Sequence, residues 1–312
     1  MTVDNPVEHG FSLDRADHRL LRGRPPAYAL AWLISAVGPG TRIKMVRALP
    51  GGTSSAVHLV LAMDPMDPTA RPRRLVLRRY VRADWLAEEP DLAEREAEVL
   101  RLLAASPVPT PEFVAVDPSG EQTDVPAVLM TALPGRIRWD RAVQDPWLHR
   151  LAELLPAIHA TPIPDTSQVR RYQPAYHGKQ LRPPAWTRHP RAWQRAVEIY
   201  HQPPAPTEEV LIHRDYHPGN VLWTRGKATG VVDWATASRG TPEADVGHCR
   251  ANLLGADTAA ADRFLAAYQD VSGRHGYHPY WDIAACIDLS HSCDAPDLVL
   301  DNWLVAAVAA LA

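Results

Sequence analysis

The sequence predicts an α+β chain in two parts: a mixed N-terminal part built on a five-stranded antiparallel sheet, and a mostly helical C-terminal part. Three observations carry that reading. Between 41 and 133, short apolar runs alternate with turn residues, the pattern of strands joined by tight connections. That alternation is broken once, at 92–105, where Leu92, Val99, Leu102 and Leu103 share one face of a helix. Beyond 145 the periodicity changes, and Leu148, Leu151, Leu155 and Ile158 fall at helical spacing. A length of 312 residues is enough to bury a substantial core, and 46% hydrophobic with 22% charged residues is ordinary globular usage.

Taken in order, residues 1–24 are polar and rich in Arg and Asp, and read as a loosely held arm. An N-terminal domain then spans 25–135 and a C-terminal domain 136–312. Pro25-Pro26 opens a short helix over 27–37, closed by Gly38-Pro39-Gly40. Strands follow at 43–49, 56–63 and 75–80, the last two separated by a turn at 64–68, and a further hairpin joins 113–116 to 125–133. In the C-terminal domain the pattern predicts helices at 147–159, 191–202, 242–254, 258–269, 280–290 and 298–312.

Bulk properties narrow the function classes. A net charge of −3 gives no support for a nucleic-acid partner. The longest apolar run, 303–312, is far short of the ~20 residues a spanning helix needs, so no membrane partner is expected. No charged-then-apolar leader is read at the N-terminus. Cys249, Cys286 and Cys293 are odd in number and lack CxxC spacing, which suits a reduced, cytoplasmic protein.

The chemistry concentrates in 210–236. Two apolar runs, 210–212 and 221–223, flank a polar loop carrying His213, Asp215, His217 and Asn220, with Pro218-Gly219 forcing a turn before Asn220. A second turn, Arg225-Gly226-Lys227, leads to a third apolar run that ends on Asp233. Strand ends would thus collect Asp215, Asn220 and Asp233 in a small volume. Such a cluster is costly unless a cation or a reacting hydroxyl sits among its members.

The spacing His213-x-Asp215-x-x-x-x-Asn220, then Asp233, resembles the catalytic loop and metal-binding aspartate of kinases. The wording IHRDYHPGNVLW with GVVDW is closer to the aminoglycoside phosphotransferase family, and Asp233-Trp234-Ala235 stands where protein kinases have Asp-Phe-Gly. The resemblance covers 49–254. It implies a bilobal protein-kinase-like fold, and transfer of the γ-phosphoryl group of ATP (or GTP), with Mg²⁺, to a hydroxyl of a small molecule. That acceptor would be an antibiotic such as an aminoglycoside or macrolide, or a metabolite. By the same resemblance Asp215 is the catalytic base and Asn220 and Asp233 hold Mg²⁺. Arg78 reaches the phosphates and is oriented by Glu96. The hairpin residues Thr53, Ser54 and Ser55 lie along the triphosphate. The stretch with Met130 and Leu133 is a hinge meeting the adenine edge, and Asp245 braces the catalytic loop.

The residues alone leave some of this open. Strand alternation sends Arg78 and Arg79 to opposite faces without saying which meets the nucleotide, although motif alignment favours Arg78 with Glu96. A Gly- and hydroxyl-rich hairpin is also a plain turn. His213, Asp215 and His217 with Asp233 or His248 is an alternative ligand set for a metal-dependent hydrolase, though Asn220 suits Mg²⁺ better than a transition metal. His213 reads as a bracing residue. A catalytically silent kinase fold serving as a binding module is a second alternative, opposed by the intact triad.

Two charge features complete the reading. The Pro-rich insert 161–206 holds Arg170, Arg171, Lys179, Arg182, Arg188, Arg191 and Arg195 interleaved with Tyr172, Tyr176, Trp186 and Trp193. It reads as a substrate lid or a solvated insert. After Arg274 there is no Lys or Arg, while Asp282, Asp288, Asp294, Asp297 and Asp301 appear. These carboxylates suit a cationic acceptor or a solvated face.

Overall fold

Alternation along the strands sets the first half of the chain. In the computed structural model, which describes residues 7–8, 11–12, 14–64, 66, 71–141, 143–206, 208–292 and 296–311, the chain divides into two units. One comprises Met1–Ala104 with Thr110–Leu133, the other Ala105–Pro109 with Pro134–Ala312.

The first unit opens with the pair β1 (Val7–Glu8) and β2 (Phe11–Ser12), followed by helices α1 (Arg15–Arg22) and α2 (Ala27–Val37). Its sheet contains β3 (Arg42–Ala48), β4 (Ala56–Met63) and β5 (Arg73–Arg79). After helices α3 (Ala83–Glu88) and α4 (Leu92–Leu103) come β6 (Phe113–Asp117) and β7 (Ala127–Thr131). The sheet order is β3-β4-β5-β7-β6, antiparallel throughout. Val60, Leu75, Leu77 and Leu129 pack with Leu30 and Leu33 of α2, closing one face from water. Helix α4 buries Leu92, Glu96, Val99 and Leu103.

The arm expected at 1–24 is in part a docked helix. Arg22 of α1 donates from Nη2 to the carbonyl of Gly52 at 2.7 Å, and Asp17 pairs with Arg82 at 2.6 Å. His58 Nε2 donates to the carbonyl of Gly23 at 2.9 Å. Part of the expected 64–68 turn, Pro65, Asp67 and Pro68, lies outside the described residues, as do Cys293 and Asp294.

The second unit starts with helices α5 (Asp145–His159) and α6 (Pro190–Tyr200). Four short strands follow: β8 (Val210–Ile212), β9 (Val221–Thr224), β10 (Lys227–Val231) and β11 (Ser238–Gly240). Helices α7 (Pro242–Leu253), α8 (Thr258–Ser272), α9 (Tyr280–Ser292) and α10 (Leu298–Ala309) complete it. Strands pair as β9 with β10 and β8 with β11, both antiparallel. Trp193 and Tyr200 of α6 join Ile212, Ile283, Ile287, Leu300 and Leu304 in one core.

The Pro-rich insert separates its two residue classes. Its seven basic side chains are exposed, while Tyr172, Tyr176 and Trp186 pack against the core that contains Trp193. The aromatics are therefore packing residues, and the bases form a solvated face.

Candidate functional site

The loop between β8 and β9 is shaped by hydrogen bonds that its own sequence supplies. His217 Nδ1 accepts the Gly219 N–H at 3.1 Å, which places the ring proton on Nε2. A Cβ on Gly219 would come within 2.5 Å of that ring, so glycine is required by close approach. The turn delivers Asn220, whose Nδ2 donates to the Asp215 carbonyl at 2.9 Å and to Asp215 Oδ2 at 3.0 Å. Both partners only accept, so the amide orientation is fixed and Asn220 Oδ1 faces away from them. Asp215 itself keeps a side chain 39% exposed.

Asp233 lies two residues past the end of β10 rather than on it, with φ of +69°. That left-handed backbone is costly for a residue with a Cβ. The bend is pinned from both sides, since the Val232 N–H donates to the Asn220 carbonyl at 2.9 Å and His213 Nε2 donates to the Val232 carbonyl at 2.9 Å. Asn220 and the Asp233 turn are thus tied directly together.

Arg214 carries a second φ of +69°. Its strain is held by Asp245 of α7, a fully buried carboxylate that accepts from the His213 and Arg214 N–H groups at 2.9 and 2.7 Å. A third donor, His159 Nε2 of α5, reaches Asp245 at 3.0 Å.

Charge at Asp215 follows from its neighbours. His248 Nε2 lies 2.9 Å and His217 Nε2 3.7 Å from Asp215 Oδ1. Burial raises the Asp215 carboxyl, but at the low pH where it titrates the charges of His217 and His248, with the His248 hydrogen bond, outweigh burial and hold the group well below the usual carboxylate range. Burial pushes His217 down to about 4, leaving it neutral near pH 7. Burial also opposes charge on His248, yet its hydrogen bond to Asp215 and that residue's charge raise it overall.

In the first unit Arg78 and Arg79 part company. Arg78 Nη1 meets Glu96 Oε1 at 2.8 Å, with side chains only 5% and 1% exposed, so this is no surface pair. Tyr80 OH donates to the other Glu96 oxygen at 2.7 Å. Arg79 pairs instead with Asp124. The hairpin 50–55 contains Thr53 and Ser54, half-buried, and Ser55, whose hydroxyl accepts from Arg78 Nε at 2.9 Å. The Ser55 side chain is therefore occupied with Arg78. Met130 is buried inside β7 with strands on both sides, and Leu133 ends the first unit.

Residues 46–280 match the model of the phosphotransferase enzyme family. The chain belongs to that family. A putative aminoglycoside phosphotransferase from Ralstonia eutropha is 16% identical, with 92% of this chain and 99% of that one covered at a TM-score of 0.56. Macrolide 2'-phosphotransferase MphH from Brachybacterium faecium is 18% identical, with coverage of 90% and 97% and a TM-score of 0.57. Aminoglycoside phosphotransferase APH(4)-Ia is 17% identical, covers 91% and 99%, and gives 0.60. A thermostable mutant of it is known as a ternary complex with AMP-PNP and hygromycin B. At these identities the likeness carries the fold, the kinase-like fold of these phosphotransferases. No curated protein matches the chain.

Within this member of the phosphotransferase family, several contacts bear on the alternative chemistries. Among the described residues no group of three or more His, Cys, Asp or Glu is placed to hold a metal ion. His213 is fully buried and used for bracing, and His217 Nδ1 is used by Gly219. Among the described residues no helix is long and apolar enough to cross a membrane.

The sequence points to Asp245 but not to its partner His159, and to His248 only as a metal ligand. Helical spacing was the available signal, since Asp245 and His248 lie three apart on α7 and so share a face.

Proposed function

We propose that this protein transfers the γ-phosphoryl group of ATP to a hydroxyl of a small molecule. The observation that carries the reading is the Asp215–Asn220 geometry: the Asn220 amide N–H groups are spent on Asp215, leaving its Oδ1 as an oxygen donor, while the Asp215 carboxylate stays partly open. Asn220 Oδ1 and the Asp233 carboxylate would supply oxygen donors of the kind Mg²⁺ takes. When bound there, Mg²⁺ neutralises charge on the nucleotide phosphates.

The chain's own residues divide the remaining work. Asp215 orients the acceptor hydroxyl and takes its proton as the oxygen attacks. Its low proton affinity at rest keeps it ionised and ready to accept that hydrogen bond. Arg78, held in place by Glu96 and Ser55, offers charge to the phosphates. Backbone N–H groups of the Gly51–Ser55 hairpin approach the triphosphate, where Gly51 takes φ of +101°. Because Met130 is locked in the sheet, the base edge meets the chain after Ala132, at Leu133.

The test is Asp215→Asn. It keeps side-chain size and removes the base, so turnover of MgATP with a panel of hydroxylated acceptors, including hygromycin B and a macrolide, should fall ~10²–10⁴-fold. Turnover within a few-fold of wild type would reject Asp215 as the base. Asp233→Ala should abolish the gain in ATP-analogue affinity that Mg²⁺ gives in calorimetric titration. An equal gain in mutant and wild type would remove Asp233 from the metal site.

A further inference from the structure

Helix α7 touches the catalytic loop twice. In its first turn, Asp245 takes the backbone N–H groups of His213 and Arg214. One turn on, His248 reaches the side chain of Asp215, with Nε2 2.9 Å from Oδ1. A carboxylate oxygen only accepts, so the imidazole donates in either charge state. Asn220 Nδ2 meanwhile holds the other oxygen, Oδ2, at 3.0 Å. With one donor on each oxygen, both the plane and the rotamer of the Asp215 carboxylate are fixed.

The helix is itself indexed for this task. At Gly247 a Cβ would lie 2.6 Å from the Trp281 carbonyl of α9, so only glycine permits that approach. The close α7–α9 contact sets the rotation of α7 and aims His248 at Asp215. His248 is mostly buried, its side chain 17% exposed, and a cationic ring is favoured there by Asp215, Asp288 and Asp245.

We propose that His248 is a positioning residue for phosphoryl transfer: its Nε2–H holds Asp215 Oδ1 so that the carboxylate presents a fixed lone pair to the acceptor hydroxyl. This rests on the phosphotransferase reading above. A carboxylate free to rotate would spend most of its time in orientations from which it cannot take the proton. Misplacement of a reacting group by an ångström costs about 100-fold in rate. His248 is distinct from His217, whose 3.7 Å separation from the same oxygen is beyond hydrogen-bond range.

Two variants separate the donor from the ring. His248→Phe keeps the bulk and loses the N–H, while His248→Gln keeps an N–H near the Nε2 position without a charge. We expect ADP release from MgATP, with hygromycin B, a macrolide and water alone as acceptors, to show kcat about 10- to 100-fold lower for His248→Phe with KM for ATP unchanged. His248→Gln should recover kcat to within a few-fold of wild type. Equal losses in both variants, or none in either, would overturn the proposal. A readout independent of turnover is the ¹⁵N spectrum of His-labelled protein, in which Asp215→Ala should shift the His248 Nε2 signal. An unmoved signal would mean the contact is absent and would also overturn it. A wild type that turns over no nucleotide defeats the phosphotransferase reading and this inference with it. An active wild type beside an equally active His248→Phe defeats this inference alone.

Discussion

A carboxylate that accepts three N–H groups cannot be replaced by an amide without turning a donor onto a donor. Asp245 is in that position, bonded to His213 N–H, Arg214 N–H and His159 while fully buried. We expect Asp245→Asn to cost about 3 kcal/mol of stability by urea unfolding, because a buried donor is left without an acceptor beside strained Arg214. Turnover should fall as well, since Asp215 directly follows the strained residue. Retention of wild-type stability would mean the loop holds its bend unaided. His58 gives a pH-dependent counterpart. Burial lowers its pKa below the ordinary value of 6.5, its Nε2–H is used on Gly23, and its Nδ1 is buried with no hydrogen-bond partner among the described residues. The native state therefore resists protonation that the unfolded chain accepts. The stabilisation is complete above pH 6.5 and is lost as pH falls from there towards the native pKa. Melting temperatures of wild type should drop more steeply over that window than those of His58→Gln. At this scale the closeness of Asp215, Asn220 and the Asp233 turn was legible, because all three sit at fixed spacing around one short loop. His159 was not, since 86 residues separate it from Asp245 and only the fold joins them.

At the level of elements, the sheet and its long helix were legible because each carries its own periodicity. The start of the chain was misjudged for a physical reason. Helix α1 is eight residues long and buries only Leu21, so it lacks an apolar stripe. It docks through Arg22 on the Gly52 carbonyl and through the Asp17–Arg82 ion pair, contacts that leave no mark in a sequence. Those contacts fall on the hairpin proposed to meet the triphosphate: Arg22 holds the Gly52 carbonyl, and Arg82, itself paired with Asp17, donates to the Thr53 carbonyl at 3.2 Å. Fixing the carbonyls fixes the facing N–H groups. Arg22→Ala should therefore raise KM for ATP about 5- to 10-fold, the loss of one charge-assisted hydrogen bond. The KM of the acceptor should change little. Steady-state kinetics with each substrate varied in turn would check this, and a change confined to kcat would remove the hairpin from the effect.

Across the whole molecule, net charge was readable but its allocation was not. The five C-terminal aspartates suited either a cationic acceptor or a solvated face, and the four described ones are each held by hydrogen bonds or an ion pair. Asp282 pairs with Arg250 at 2.8 Å, and Asp297 caps α10 by accepting from Val299 and Leu300. Asp301 is 1% exposed and accepts from Thr187, the Arg188 N–H and Trp193, tying the insert to α10. Asp288 takes the Tyr200 hydroxyl at 2.7 Å, and burial raises its pKa. Asp294 lies outside the described residues. A polyamine drawn to Asp282, Asp288 or Asp301 would have to compete with bonds that join one element to another. Exposed charge pairs are screened over ~8–10 Å at physiological salt, whereas such internal bonds are screened far less. Two outcomes follow. Asp301→Ala should lower the melting temperature and expose the insert to proteolysis, because three donors lose one acceptor. Acceptor binding should lack the steep salt dependence of a polycation on an acidic face. Melting-temperature shifts by hygromycin B and by neutral hydroxylated compounds, each at low and high salt, decide the second point. Stabilisation by the cation alone, vanishing at high salt and also lost in Asp297→Asn, would return the aspartates to the acceptor site.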